Sequence, residues 1–261
     1  MMIQNFFTDG EKYRNTKPYP YTFIDNALSE DVAKELQTEI LSLPKAMFDR
    51  YDNPFEQKYT LRDKFNYPER LKSLMEYLTS EPFVKQLSEY TAHELLIDEH
   101  RMYWGVHIYE PGDKLDIHVD AGFHPITNQK KQVTLGIYLS YDWEDTYGCD
   151  LEIWEGDKAS DTNPKLRECV AKIAPMFNRM ILFDCTDNSW HGNPVPSCSP
   201  IGSKRVFVTI SYLSNETDYS NKLKKAYFIA RPDDPEDEAK DKLRAIRADH
   251  TKCDTVYRTM M

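Results

Sequence analysis

The chain has 261 residues, enough to bury one large core or two small ones, and its 40% hydrophobic and 29% charged content is that of a globular protein. Forty-three acidic against 33 basic side chains leave a formal charge of −10, which repels phosphate backbones and argues against nucleic acid; no apolar run approaches the roughly 20 residues that span a bilayer, which argues against a membrane protein. Five scattered cysteines without a CxxC pair, and a start at Met1–Thr16 with no basic then apolar leader, point to reduced thiols in a cytoplasmic protein.

Tyr19 to Asp25 reads as a short aromatic strand, and Asn26 to Asp31 follows as a turn with Ser29 placed to cap a helix. Val32, Leu36, Ile40 and Leu43 then recur at helical spacing and predict one apolar stripe that stops before Pro44. Tyr51 to Tyr67 mixes five aromatic residues with charges of both signs and reads as loop or irregular strand, a candidate lid over a cleft. A second helix begins near Glu69, with Leu71, Leu74, Met75 and Leu78 on one face.

From Arg101 the period changes to that of strands. Arg101–Tyr109, Gln132–Ser140, Asp150–Glu155, Asn178–Phe183 and Lys204–Leu213 are extended runs separated by turn residues. Beyond Pro232 and Pro235 the mixed charges from Glu236 predict a solvated C-terminal helix packed on the outside. Helices first and many short strands afterwards define a mainly β protein with flanking helices (α+β), its antiparallel core a sandwich or barrel. The expected layout is a single domain over 1–261, with helical support at 1–99, the core at 100–215 and an extension at 216–261.

Chemistry enters at His118-Val119-Asp120. With 7 histidines and 43 acids among 261 residues, such a triplet arises about once by chance, so its context must decide. Residues two apart on a strand share a face, and an imidazole and a carboxylate so placed can hold one cation. His191, between the runs RMILF and RVFVTISYL, supplies a third donor at a strand-to-loop boundary. Two histidines and a carboxylate on one face of an octahedron suit a non-haem Fe(II) oxygenase, although zinc hydrolases use the same donors. Arg205 discriminates: alternation puts Arg205, Phe207, Thr209 and Ser211 on one strand face. If that face lines the barrel, a guanidinium inside it requires an anion, and its planar fork matches a carboxylate.

The ordered set of HxD, a distal His and an Arg opening the last core strand resembles the 2-oxoglutarate and Fe(II)-dependent dioxygenases, in particular their prolyl 4-hydroxylase-like branch. IYEPGDKLDIHVD ending at Asp120, VTLGIYLSYDW from Val133, GCDLEIWEG from Gly148 and FNRMILFD from Phe177 carry the resemblance over about residues 100–215. One departure is the 14-residue interval from His191 to Arg205, longer than the family usually shows.

The resemblance implies a double-stranded β-helix core, a jelly roll of cupin type. It implies that His118, Asp120 and His191 bind Fe(II), and that Arg205 pairs with the 2-oxoglutarate C5 carboxylate. Tyr138 would hydrogen-bond the cosubstrate, and Tyr109, Thr134 and Leu151 would line its pocket. The implied activity is hydroxylation of an unactivated C–H bond, with O₂ consumed, 2-oxoglutarate released as succinate and CO₂, and ascorbate as reductant. A carboxylate at position 120 favours hydroxylation over halogenation, which needs a small residue there to leave room for halide.

The substrate is less legible. A peptidyl proline follows from the branch, while a free amino acid, a sugar or nucleotide-sugar, or another small natural product is equally compatible, and the acidic surface favours neutral or cationic ones. His107 and Tyr103 share a strand face with Tyr109 and are candidate substrate contacts, as is Trp190, for which core packing is the stronger reading. His124 reads as an exposed loop residue, and Asp184 and Asp187 as turn and cap formers. The rival of another class is a non-catalytic metal-binding β-barrel module, which would not need Arg205 to face inward.

Overall fold

The computed structural model describes residues 3–217, 225–249, 251 and 252. Within the 216–261 extension, residues 218–224, 250 and 253–261, Cys253 among them, lie outside the described residues. In chain order the elements are α1 (Gly10–Asn15), β1 (Tyr21–Ile24), α2 (Glu30–Ser42), β2 (Phe48–Asp52), β3 (Gln57–Leu61), α3 (Glu69–Leu78), α4 (Glu81–Thr91), β4 (Trp104–Tyr109), β5 (Leu115–Val119), β6 (Gln129–Tyr138), β7 (Leu151–Gly156), β8 (Leu166–Ile173), β9 (Met180–Asp184), β10 (Trp190–Asn193), β11 (Arg205–Thr217), β12 (Tyr227–Phe228) and α5 (Glu238–Ala248).

The strands form two antiparallel sheets. One is seven-stranded, in the order β1-β9-β6-β11-β4-β3-β2, and the other five-stranded, in the order β12-β5-β10-β7-β8. Strand alternation divides the work of β11. Val206, Val208, Ile210 and Tyr212 pack outward with Val106, Leu135 and Ile137 onto the buried stripes of α2, α3 and α4, including Leu36, Ile40, Leu71, Leu74 and Phe83. Arg205, Phe207, Thr209 and Ser211 point the other way, into a cavity between the sheets. The inner faces meet where Tyr138, Ile181 and Phe183 of the larger sheet pack on Leu151, Ile153 and Ile173 of the smaller. The architecture is the expected jelly roll with supporting helices.

Helix α3 buries all four residues of its predicted stripe. In α2 the predicted Leu36 and Ile40 are fully buried together with Ala33, the predicted Val32 and Leu43 pack partly buried against the same core, and Ser29 sits at the N-cap without a side-chain cap bond. Other expectations are corrected. Residues 51–67 are loop only in part: β2 and β3 pair from Phe48↔Leu61 to Asp52↔Gln57, β3 continues the sheet onto β4 through Thr60↔His107, and the stretch beyond Leu61 up to Tyr67 is the expected loop. His191 lies inside the short strand β10, between β5 and β7, rather than at a loop boundary. The tail helix α5 packs on the outside as expected, through Leu243 and Ile246, and is further tied down where Lys240 and Arg244 reach the buried Asp116 of β5 at 2.5 and 3.6 Å. Among the described residues no helix is long and apolar enough to cross a membrane.

Candidate active site

Adjacent strands of the smaller sheet bring the metal candidates together. The register pairs His191 with His118 directly across β10 and β5, and Asp120 follows the end of β5. Their rings lie 4.5 Å apart between centroids. Asp120 Oδ1 is 3.5 Å from His118 Nε2, and Oδ2 is 3.9 Å from His191 Nε2. One donor atom from each of the three falls within 4.8 Å of the others, a spacing that fits a single ion.

Both imidazoles are oriented by the backbone. His118 Nδ1 donates to the Asp116 carbonyl at 2.9 Å and His191 Nδ1 to the Ser189 carbonyl at 2.8 Å, so each ring is turned with its Nε2 towards Asp120. Burial, then the neighbouring His118, lower the His191 pKa to about 4, leaving it neutral and available as a ligand at physiological pH. Burial alone would raise the Asp120 carboxyl, but Lys131, then the two histidines, hold it well below its ordinary range. Lys131 Nζ donates to Asp120 Oδ2 at 2.6 Å. The sequence reading missed this lysine, although Lys130-Lys131, separated only by Gln132 from the apolar run VTLGIYLS, marks where a cation enters the core.

The other end of the cavity carries Arg205, 1% exposed, whose register places it beside Tyr109. Its guanidinium lies 4.4 Å from the Tyr109 ring centroid and 5.0 Å from that of Tyr138. Nη2 donates to the Tyr138 hydroxyl at a long 3.5 Å, while Nε and Nη1 find no acceptor among the described residues. A buried cation with two idle donors is costly, and an anion with two coplanar oxygens answers both. Gly136 makes the neighbouring packing possible: a Cβ there would collide with the Phe207 ring, which stacks on Tyr138 at 4.3 Å.

A cavity of about 940 Å³ joins the two ends, and Tyr103, His107, Thr134 and Leu151 also line it. Thr134 is spent internally, bonding Ser211 Oγ at 2.9 Å. Tyr103 gives its hydroxyl proton to the Phe123 carbonyl at 2.7 Å, and His107 Nδ1 meets Thr60 Oγ1 at 3.0 Å. Trp190 does not reach the cavity: it is 0% exposed and donates Nε1 to the Asp157 carbonyl, so the substrate-contact expectation is withdrawn. His124 is not exposed either. Its Nδ1 accepts the Ile126 and Thr127 amides, so Nε2 donates to the buried Asp98 at 3.1 Å and pins the loop after Asp120. Asp184 is a buried acceptor for Tyr13 and His93 rather than a turn former.

Residues 104–213, which contain the metal triad and Arg205, match the family model of the 2OG-Fe(II) oxygenase superfamily. No curated protein matches the chain in sequence. Among solved structures it is similar to a Pseudomonas putida prolyl-4-hydroxylase, at 14% identity and TM-score 0.57 over 79% of this chain and 99% of that one. It is also similar to a Trichoplax adhaerens prolyl hydroxylase in complex with a hypoxia inducible factor oxygen degradation domain peptide fragment, at 18% identity and TM-score 0.54 over 78% and 87% of the two chains. The non-heme alpha ketoglutarate dependent carbocyclase SnoK from nogalamycin biosynthesis matches at 12% identity and TM-score 0.56 over 90% of each chain. At these identities the likeness is one of fold.

Proposed function

We propose that the protein is a 2-oxoglutarate-dependent hydroxylase of an unactivated C–H bond, with His118, Asp120 and His191 as Fe(II) ligands and Arg205 as the anchor for the 2-oxoglutarate C5 carboxylate. When bound, Fe(II) with 2-oxoglutarate and O₂ supplies the oxidation itself, with succinate and CO₂ as by-products. The chain supplies placement. His118 and His191 present their Nε2 atoms to the metal because backbone carbonyls fix the opposite nitrogens, and Asp120 arrives already ionised beside Lys131. Tyr138, next to the guanidinium, directs its hydroxyl to the same end of the cavity and adds a hydrogen bond to the cosubstrate. Thr134 and Leu151 shape the wall between the two ends.

The single observation that carries this reading is the pair of unsatisfied nitrogens on fully buried Arg205. A metal-binding module or a zinc hydrolase has no use for that charge in the same cavity. A carboxylate at position 120 supports hydroxylation rather than halogenation, and a prolyl 4-hydroxylase-like peptide substrate stands as the proposal drawn from the fold. The test is aerobic turnover: succinate should form from 2-oxoglutarate only with Fe(II), and ascorbate should sustain it. Metal-dependent succinate formation that persists undiminished in Arg205→Met would refute the anchoring role.

A further inference from the structure

The Asp120 carboxylate presents its two oxygens to different partners. Oδ2 accepts Lys131 Nζ at 2.6 Å, while Oδ1 is turned to His118 Nε2 at 3.5 Å. Lys131 itself has little freedom. It is 7% exposed, its ammonium lies 5.0 Å from the centroid of the Tyr103 ring, and its amide donates to the Gly122 carbonyl at 2.9 Å. The Tyr103 hydroxyl holds the Phe123 carbonyl at 2.7 Å and Phe123 pairs back onto Lys130, so the turn that joins Asp120 to Lys131 is fastened along its length.

Coordination number gives this ion pair a consequence. Two imidazoles and one carboxylate oxygen leave three positions of an octahedron, and a cosubstrate that chelates through two atoms leaves one. Carboxylates bind metals through one oxygen or through both, and Asp120 binding through both would fill that last position. Charge opposes the second contact. A dication on Oδ2 would face the Lys131 ammonium across one shared oxygen, whereas on Oδ1 the whole carboxylate lies between the two positive charges.

We propose that Lys131 is a positioning residue for the metal centre: by holding Asp120 Oδ2 it confines Asp120 to one metal bond, through Oδ1, and keeps the last coordination position open. This rests on the reading that His118, Asp120 and His191 hold Fe(II) and that 2-oxoglutarate chelates it.

The test uses the full chain, labelled with ¹³C-aspartate and loaded anaerobically with Fe(II) and 2-oxoglutarate, in infrared difference spectra against the metal-free protein. The gap between the antisymmetric and symmetric carboxylate stretches widens when a carboxylate binds a metal through one oxygen and narrows when it binds through two. Wild type should show the wider gap, Lys131→Met the narrower one, and Lys131→Arg, which returns a cation, the wider one again. A narrow gap in wild type overturns the proposal without recourse to any variant, including one that fails to fold. Nitric oxide then probes the open position through the paramagnetic resonance signal of its Fe(II) adduct. Lys131→Met should need about tenfold more nitric oxide than wild type, the scale of one charged hydrogen bond, while its charge-transfer band forms at the same 2-oxoglutarate concentration. An unchanged gap and unchanged nitric oxide affinity in Lys131→Met would overturn the role of Lys131 alone. Absence of the charge-transfer band from Fe(II)-loaded wild type would overturn the cosubstrate reading and this proposal with it.

Discussion

The two ends of the cavity are built on opposite plans. At the metal end every candidate ligand is already engaged: two backbone carbonyls fix the imidazoles and Lys131 neutralises Asp120. At the far end Arg205 is fully buried with two nitrogens idle. The first end is held in shape by the protein itself, whereas the second is completed only by a ligand. Binding at the two ends should therefore have different consequences for stability, and that contrast can be attacked directly.

The largest effect is expected at the metal end. His118→Ala or Asp120→Ala should bring 2-oxoglutarate turnover down to the level of metal-free protein, measured as succinate formed with Fe(II) present. Asp120→Ala carries an added cost, since it leaves the buried Lys131 ammonium without its carboxylate. Arg205→Met should act differently, raising the KM for 2-oxoglutarate about 10²-fold through the loss of two charge-assisted hydrogen bonds. The same substitution should leave the ligand-free protein as stable or stabilise it by about 1–4 kcal/mol in a urea titration, because it removes an unanswered buried charge. Destabilisation of the free protein by Arg205→Met would erase the difference between the two ends.

Saturation sharpens the contrast. With metal bound, 2-oxoglutarate at 100 times its Kd should stabilise wild type by about 2.7 kcal/mol, and Arg205→Met at the same concentration much less, as read by thermal shift. The smallest effect concerns pH. His107 is held below 6.5 when folded, chiefly by burial and then by nearby cations, so as pH falls through 6.5 the unfolded chain takes up a proton that the folded chain refuses. Its contribution to stability is thus present above 6.5 and is lost progressively below it, at up to about 1.4 kcal/mol per pH unit. His107→Gln should flatten that part of the profile, and an unchanged slope would show that another group carries it.

Much of this was legible in the sequence because period and order are local signals. The face Arg205-Phe207-Thr209-Ser211 follows from alternation alone, and it is the face that lines the cavity. The α3 stripe was read in full for the same reason. The shorter and more polar elements escaped. Helix α1 has six residues and buries only Tyr13, and β12 has two residues, so neither carries a period. Helix α4 does carry one, in Phe83, Leu87 and Thr91, and its Pro82 in the first turn was an available start signal. The hairpin β2–β3 looked irregular because most of its side chains face solvent or the polar cavity instead of a core, and pairing to β4 is a long-range fact.

Long-range ion pairing hid the rest. Charged residues of α5 read as a solvated face, yet Lys240 and Arg244 converge on Asp116, and Lys131 meets Asp120 across a turn that spacing does not reveal. His124 looked exposed because nothing near it in sequence announces Asp98 as its partner. Trp190 sits one residue before a candidate ligand, but adjacency on a strand means opposite faces, and that alone places it away from the cavity.

The central claim is that one cavity holds a metal at one end and the 2-oxoglutarate carboxylate at the other. Anaerobic addition of Fe(II) and 2-oxoglutarate tests it most directly, through the visible metal-to-ligand charge-transfer band of the chelate. The band should form in wild type, vanish in His118→Ala, and in Arg205→Met require far more 2-oxoglutarate to appear. Metal-competent wild-type protein that shows no band, or a band unchanged by both substitutions, would contradict the account.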